Sequence, residues 1–257
     1  MATMIFDTHC HYDDEAFDND RQELLVSLRE KGVGRLVNVG ASMETSRMAL
    51  QLAESYEFIY AALGVHPSET AGLTEADMDW IRSHAAHEKV VAVGEFGLDY
   101  HWEEPEPEVQ RKWFVRQIEL AKEVKLPIII HSRDAAAETR DIMIKEKAYD
   151  CGGVIHCYSY SAEMAKEYVD MGFYIGIGGV VTFKNAKKCK RTVEEIPLEN
   201  IVLETDCPYM APEPHRGTRN DSSQLIYVAD KIAELKGVST EEVIRVTAEN
   251  AVKMYRL

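Results

Sequence analysis

Five histidines and two carboxylates stand at or just after the ends of short apolar runs in this sequence. His9 and His11 follow the first run, His66 the third, His131 closes "PIIIH" and His156 closes "GGVIH". Glu95 ends the fourth run inside "GEFGLDY", and Asp206 ends "IVLETD". The other four of the nine histidines, His84, His87, His101 and His215, fall in helical or loop segments. Imidazole with carboxylate suits Zn²⁺, Mn²⁺ or Fe²⁺, and oxygen-rich sites suit Mg²⁺. On a strand, side chains two apart point the same way, so His9 and His11 can approach one ion while Cys10 points away. Asp7 is expected on the same face but deeper, as a partner of the pair rather than a ligand. Asp13 is expected in the following loop. A set of this size is too large for one tetrahedral ion with an open position. It suits two ions that share a carboxylate.

Such a set needs a scaffold that gathers strand ends. Eight short runs are rich in Val and Ile and continuously apolar: "MIF", "RLVNVG", "FIYAALGV", "VVAVGEFG", "LPIII", "GGVIH", "FYIGIGGV" and "NIVLETD". Continuous rather than alternating apolar runs suit strands buried on both faces, as in a parallel sheet. Helical segments lie between them. "DRQELLVSLREKG" sets Leu24, Leu25 and Leu28 on one face and ends at Gly32. "EVQRKWFVRQIELAKEVKLP" stops before Pro127, and "SAEMAKEYVDMG" runs from an N-cap at Ser161 to Gly172. "STEEVIRVTAENAVKMYRL" opens with a capping box, Ser239 with Glu242. The acidic "EEPEPE" at 103–108 suits the entry to a helix. After the seventh run, "KNAKKCKRTVEEIP" leaves room for only a short, irregular helix. The pattern predicts an α/β fold, a (β/α)8 TIM barrel with an extra C-terminal helix, as one domain over residues 1–257. Its active site belongs at the C-terminal strand ends. No G-x-G-x-x-G follows a first strand, which disfavours an open dinucleotide-binding sheet.

Composition narrows the partners. The formal net charge of −15 gives no general attraction to nucleic acid or anionic lipid. The five cysteines, Cys10, Cys151, Cys157, Cys189 and Cys207, are odd in number and have no Cys-x-x-Cys spacing. They suit a reducing, cytoplasmic setting better than a disulfide framework. No signal peptide, membrane span or obligate protein partner is expected.

The blocks "DTHCHYD", "ALGVHP", "VGEFGLDYHW", "LPIIIHSRDA", "GGVIHCYS", "VTFKNA" and "LETDCPYMAPEPHRGTRN" together resemble the signature of the TatD family of metal-dependent deoxyribonucleases. The resemblance runs from residue 4 to about residue 220 and implies a (β/α)8 barrel related to the amidohydrolase-like hydrolases. It makes His9, His11, Glu95, His131, His156 and Asp206 the metal ligands, with His66 in the site as a substrate contact or proton-transfer group. It implies hydrolysis of DNA phosphodiester bonds, in part as a 3′→5′ exonuclease on single strands. Two blocks depart from the family. "HCYSYS" carries Tyr158 and Tyr160 where the family often reads His-Cys-Phe-Ser-Gly-Ser. Thr218-Arg219-Asn220-Asp221-Ser222 replaces a common Lys-Arg-Asn-Glu-Pro.

The expected mechanism uses two divalent ions, Mg²⁺, Mn²⁺ or Zn²⁺, to activate a water. His9, His11 and Asp206 hold one ion, His131 and His156 the other, and Glu95 bridges. Asp206 also accepts the water's proton. Arg133, Lys184 and Arg216 are candidate phosphate contacts just past strand ends, and the cluster Lys184, Lys187, Lys188, Lys190 and Arg191 is a candidate landing site for a DNA backbone. The alternative is an amidohydrolase-type hydrolase of a small ester, lactone or amide, many of which bridge their ions with a carbamylated lysine. An acidic nuclease should bind duplex DNA weakly and salt-sensitively, and favour strand ends or single strands. A salt titration of binding checks this; nanomolar, salt-insensitive duplex affinity would contradict it.

Overall fold

The computed structural model describes residues 4–257. Eight parallel strands lie side by side in chain order: β1 (Ile5–Cys10), β2 (Val33–Val39), β3 (Ile59–Leu63), β4 (Val90–Asp99), β5 (Ile128–Arg133), β6 (Gly153–Ile155), β7 (Phe173–Ile177) and β8 (Ile201–Leu203). They form a nearly closed (β/α)8 barrel. The helices are α1 (Arg21–Glu30), α2 (Met43–Ser55), α3 (Glu75–His84), α4 (Pro107–Val124), α5 (Ala136–Lys145), α6 (Ala162–Asp170), α7 (Lys187–Glu195), α8 (Leu225–Lys236) and α9 (Thr240–Tyr255). No helix of the described residues is long and apolar enough to cross a membrane.

All eight apolar runs become strands. Helix α1 buries Leu25 and Leu28, with Leu24 half-buried beside them, and Gly32 follows it at φ +89°. The Ser161 side chain caps α6 by accepting the Met164 N–H. At α9 only half of the expected capping box forms: Ser239 accepts the Glu242 N–H, and no reciprocal bond is made. The segment after β7 is more regular than expected. A 3-10 turn at Gly179–Thr182 leads to the nine-residue helix α7, whose Cys189, Thr192 and Val193 face inward. Three buried residues at helical spacing are enough to anchor so short a helix.

The barrel interior is a cluster of strand residues, Phe6, Val37, Ala62, Ala92, Ile129, Val154 and Val202 among them. Helix α9 joins this cluster with Ala251, Met254 and Tyr255. The Tyr255 hydroxyl donates to the Thr8 carbonyl at 2.8 Å, and the Arg256 guanidinium bonds the carbonyls of Lys125 and Cys151. The extra helix thus stoppers one end of the barrel and leaves the strand C-terminal ends open.

The seam between β1 and β8 is held differently from the other strand pairs. The His9 carbonyl accepts the Asp206 N–H at 2.9 Å, and the Cys207 carbonyl accepts the His11 N–H at 2.9 Å. Beside them lies the fully buried Asp7 carboxylate. It accepts Ser222 Oγ at 2.6 Å, Thr205 Oγ1 at 2.7 Å, Thr205 N–H at 3.0 Å and His9 N–H at 3.2 Å. Asp7 does not sit on the face of the histidine pair, where the alternation predicts it. A register shift between Asp7 and Cys10 breaks the alternation, so Asp7 turns to the seam and meets His9 only through its backbone. Burial pushes Asp7 up to about 7 against the pull of these four bonds. Ser222, one of the two departures from the family blocks, donates its backbone N–H to Tyr12 Oη at 2.8 Å, a bond proline cannot make.

Ser222→Ala leaves the buried Asp7 short of its closest donor. It is expected to lower unfolding free energy by roughly 1–3 kcal/mol, measured by urea denaturation. A loss under about 0.5 kcal/mol, the range of ordinary surface substitutions, would show that the seam does not depend on this bond.

Candidate metal centre

The candidate ligands arrive from five strands, β1, β4, β5, β6 and β8. His9 lies in β1 with His11 just past it, Glu95 in β4, His131 in β5, His156 just past β6 and Asp206 just past β8. The structure brings all six together. The Nε2 atoms of His9 and His11 lie 3.1 Å apart, close to the roughly 3.3 Å edge of a tetrahedron with bonds of about 2 Å. Glu95 Oε1 lies 3.7 Å from His9 Nε2 and 3.6 Å from His11 Nε2. Its Oε2 lies 3.6 Å from His131 Nδ1 and 3.4 Å from His156 Nε2. Asp206 Oδ1 completes the first side, 3.3 Å from His11 and 3.8 Å from His9.

Glu95 sits where the chain makes room for it. The β4–β5 register shifts between Val93 and Phe96, and glycines stand on both sides of Glu95. A Cβ at Gly97, φ +155°, would lie 1.9 Å from the His131 carbonyl oxygen. Only glycine lets β4 press this closely on β5.

The electrostatics are those of carboxylates held among imidazoles. Burial pushes Glu95 up, but His9, His156 and His131 outweigh it and hold the carboxyl well below its usual range. Burial pushes His11 down, and Asp206 and Glu95 outweigh this and take it up to about 10. His156 goes the same way, to about 9, under Glu204 and Glu95. His9 stays depressed, by burial and by the neighbouring His156 ring. Glu95 Oε2 is buried with no hydrogen-bond partner among the described residues. Several sets of these donors, including His9 with His11 and Asp206 and His9 with Glu95 and His156, have atoms within 4.8 Å of one another. The residues therefore fit divalent ions, which would displace the imidazolium protons and satisfy the orphaned oxygen.

Two carboxylates escaped the sequence reading. Asp99 Oδ2 lies 3.1 Å from His131 Nε2, and Glu204 Oε1 lies 3.5 Å from His156 Nδ1. Each sits behind a histidine, opposite Glu95, where it fixes the ring's orientation and makes it a stronger donor. Glu204 is locked by the Cys157 N–H, and Gly176 leaves the space its Oε2 fills. The available signals were a carboxylate inside the apolar "IVLETD" and a second one four residues after Glu95.

The candidate substrate contacts divide. His66 lines the cleft, its ring edge-on to His131 at 4.2 Å. Burial and His131 push it down to about 4, so it is neutral. Its Nδ1 accepts the Ser68 N–H, so Nε2 carries the proton and can donate. Arg133 lines both the main cleft, about 1030 Å³, and a smaller pocket of about 400 Å³ beside it. Lys184 and Arg216 line neither, and the Arg216 guanidinium lies 4.3 Å over the Phe183 ring. In the basic cluster, Lys190 bonds the Phe183 carbonyl and Arg191 pairs with Glu163 and Glu195. The tyrosines of the other departing block brace loops. Tyr158 Oη donates to the Ser161 carbonyl, and Tyr160 Oη meets Ser132 Oγ at 3.1 Å beside Arg133.

Glu204→Gln keeps the shape but removes the charge behind His156. Metal affinity should fall roughly 10–100-fold while the urea midpoint barely moves. Calorimetric titration with Mn²⁺ or Zn²⁺ checks this, and unchanged affinity would leave Glu204 with a packing role only.

A model of the family described as TatD related DNase matches residues 6–256. An uncharacterized metal-dependent hydrolase of Bacillus subtilis, YabD, is 48 % identical over 254 residues, 99 % of this chain and 100 % of the relative. Another from Escherichia coli K12, YcfH, is 36 % identical over 257 residues, 98 % of this chain and 96 % of the relative. The crystal structure of the TatD homologue YjjV from Escherichia coli K12 superposes with a TM-score of 0.93 at 31 % identity, covering both chains fully. With the barrel and its histidine–carboxylate centre already in place, these likenesses identify the chain as a member of the TatD family of metal-dependent hydrolases.

Proposed function

We propose that the protein is a deoxyribonuclease that hydrolyses phosphodiester bonds at DNA ends or in single strands, using two divalent ions. The supporting observation is the presentation of Glu95, with one oxygen toward His9 and His11 and the other toward His131 and His156. That arrangement suits a bridge between two ions, with Asp206 completing the first set. When bound, the ions supply an activated water and neutralise charge on the phosphate. Asp206 borders both the cleft and the side pocket, so it can accept the proton of the attacking water. Arg133 and His66 line the cleft, and on this reading Arg133 holds the phosphate and His66 donates a hydrogen bond to it. Mg²⁺, Mn²⁺ and Zn²⁺ all suit the donor set. The free cysteines suit a reducing cytoplasm.

One observation favours a second reading, hydrolysis of a small ester, lactone or amide. Besides Glu95, Asp99 and Asp206 at the metal centre, six carboxylates, Asp13, Asp14, Glu15, Asp18, Glu44 and Glu69, line the cleft wall, which discourages a polyanion. The family and a glutamate at the bridging position, in place of a carbamylated lysine, favour the nuclease.

Metal-stripped protein should cleave labelled single-stranded DNA only after Mg²⁺, Mn²⁺ or Zn²⁺ is added back. Glu95→Ala and Asp206→Asn should each lose roughly a hundredfold or more. Running duplex DNA, RNA and a carboxyl-ester panel in parallel separates the readings. Ester cleavage without DNA cleavage selects the second, and DNA cleavage surviving both substitutions would mark a contaminant.

A further inference from the structure

Two large aromatic side chains stand in water at the mouth of the cleft. Trp102, on the loop between β4 and α4, is 59 % exposed, and Tyr209, on the loop after β8, is 57 % exposed. Both line the cleft that holds Glu95, His131, His156 and Asp206. With eight strands in chain order around the barrel, the β4 and β8 loops lie on opposite sides of the centre. The other two tryptophans are engaged. Trp113 is buried, and Trp80 stacks on His84 with Arg47 4.9 Å from its ring.

Tyr209 is held through its hydroxyl and backbone, and the loop that carries Trp102 is braced at its backbone. Tyr209 Oη donates to Asp14 at 2.8 Å, its N–H donates to the Asp206 carbonyl at 3.0 Å, and its own carbonyl accepts from Asn220 at 2.8 Å. The Trp102 loop is bracketed by the Gln110 side-chain amide, which donates to the carbonyls of Asp99 and Pro105. His101, whose N–H is bonded to Asp99, meets the indole edge-on at 4.8 Å. An aromatic ring on a braced backbone loses little freedom on binding, since it has only two side-chain torsions to fix.

The charge around them removes the usual hold on a nucleic acid. Arg133 is the one lysine or arginine among the residues lining the cleft, against the six carboxylates of its wall. Phosphates cannot be gripped along that wall by counterion release. Bases carry no charge, and every base has a face that stacks on an aromatic ring.

We propose that Trp102 and Tyr209 are stacking platforms for unpaired bases on the two sides of the metal centre, so that a single strand is held by its bases rather than its backbone. The inference rests on the deoxyribonuclease reading. It also selects against duplex, because paired bases have their faces covered by their neighbours.

The experiment compares a single-stranded oligonucleotide with one carrying abasic tetrahydrofuran residues around the cleaved bond, in wild type, Trp102→Ala, Trp102→Phe, Tyr209→Ala and Tyr209→Phe. Each alanine variant should raise KM for the normal strand about tenfold with kcat nearly unchanged, and each phenylalanine variant should keep most of the affinity. Wild type should lose similarly on the abasic strand, where the alanine variants add little further loss. The wild-type to variant KM ratio should stay constant as salt rises, since the contact is uncharged. Unchanged Mn²⁺ affinity shows that the variants are intact. The proposal is overturned if the alanine variants leave KM unchanged, or weaken the abasic strand as much as the normal one. If wild type cleaves no DNA at all, the deoxyribonuclease reading fails and this inference with it. If wild type cleaves DNA and the variants match it, only the stacking inference fails.

Discussion

A carboxylate with almost no access to water has to be compensated where it stands, and in this barrel that carboxylate is Glu95. The cost of burying an isolated charge exceeds what a small protein can supply from the rest of its core. Four imidazoles from three other strands meet it instead, two on each oxygen. The open end of the barrel is therefore a polar layer of imidazoles and carboxylates, whereas the other end is apolar and closed by α9. The position of each histidine follows from this requirement. A strand that slipped by one residue would turn its imidazole to the opposite face and leave Glu95 short of a partner.

The same logic explains the seam between β1 and β8. The backbone bonds that close it involve His9, His11, Asp206 and Cys207, which are ligand candidates or their neighbours. Barrel closure and the arrangement of the first ligand group thus rest on the same backbone bonds. Asp7 adds a second buried carboxylate there, this time satisfied by hydroxyl and amide donors rather than imidazoles. Two carboxylates of one protein are buried by two different means. Glu95, surrounded by histidine donors and with an oxygen left over, suits a cation. Asp7, fully supplied with hydrogen bonds, does not.

Much of this was legible in the sequence because parallel strands buried on both faces appear as bare apolar runs. In such a chain an ionisable residue at the end of a run is conspicuous, and His9, His11, Glu95, His131, His156 and Asp206 all announced themselves that way. Alternation failed wherever a bulge intervened. The shift between Asp7 and Cys10 turned Asp7 away from the face that a period of two assigns to it. Glu204 was hidden because an apolar run gives no sign of which residue faces a neighbouring strand's histidine. Distance from a strand end was also a poor guide to the cleft. Arg133 lies in β5 and reaches it, whereas Lys184 and Arg216 lie on longer excursions and do not line it.

The distribution of charge bears on what kind of contact such a site can make. Fixed cations are scarce around the cleft, so positive charge on the proposed reading is concentrated in the ions. At physiological ionic strength their field is screened beyond roughly 8 Å, about the reach of one phosphodiester and its immediate neighbours. Farther along the strand the acidic wall opposes the backbone. A long electrostatic track, which would hold duplex firmly, is thus absent by construction. What would remain on that reading is a short, deep attraction at one phosphate, flanked by the exposed rings of Trp102 and Tyr209. On the proposed reading, such a site would discriminate by whether a strand can bring an isolated phosphate down to the centre with its bases unstacked. Flexible ends and single strands would then meet that requirement without first breaking base pairs, and an intact duplex would not.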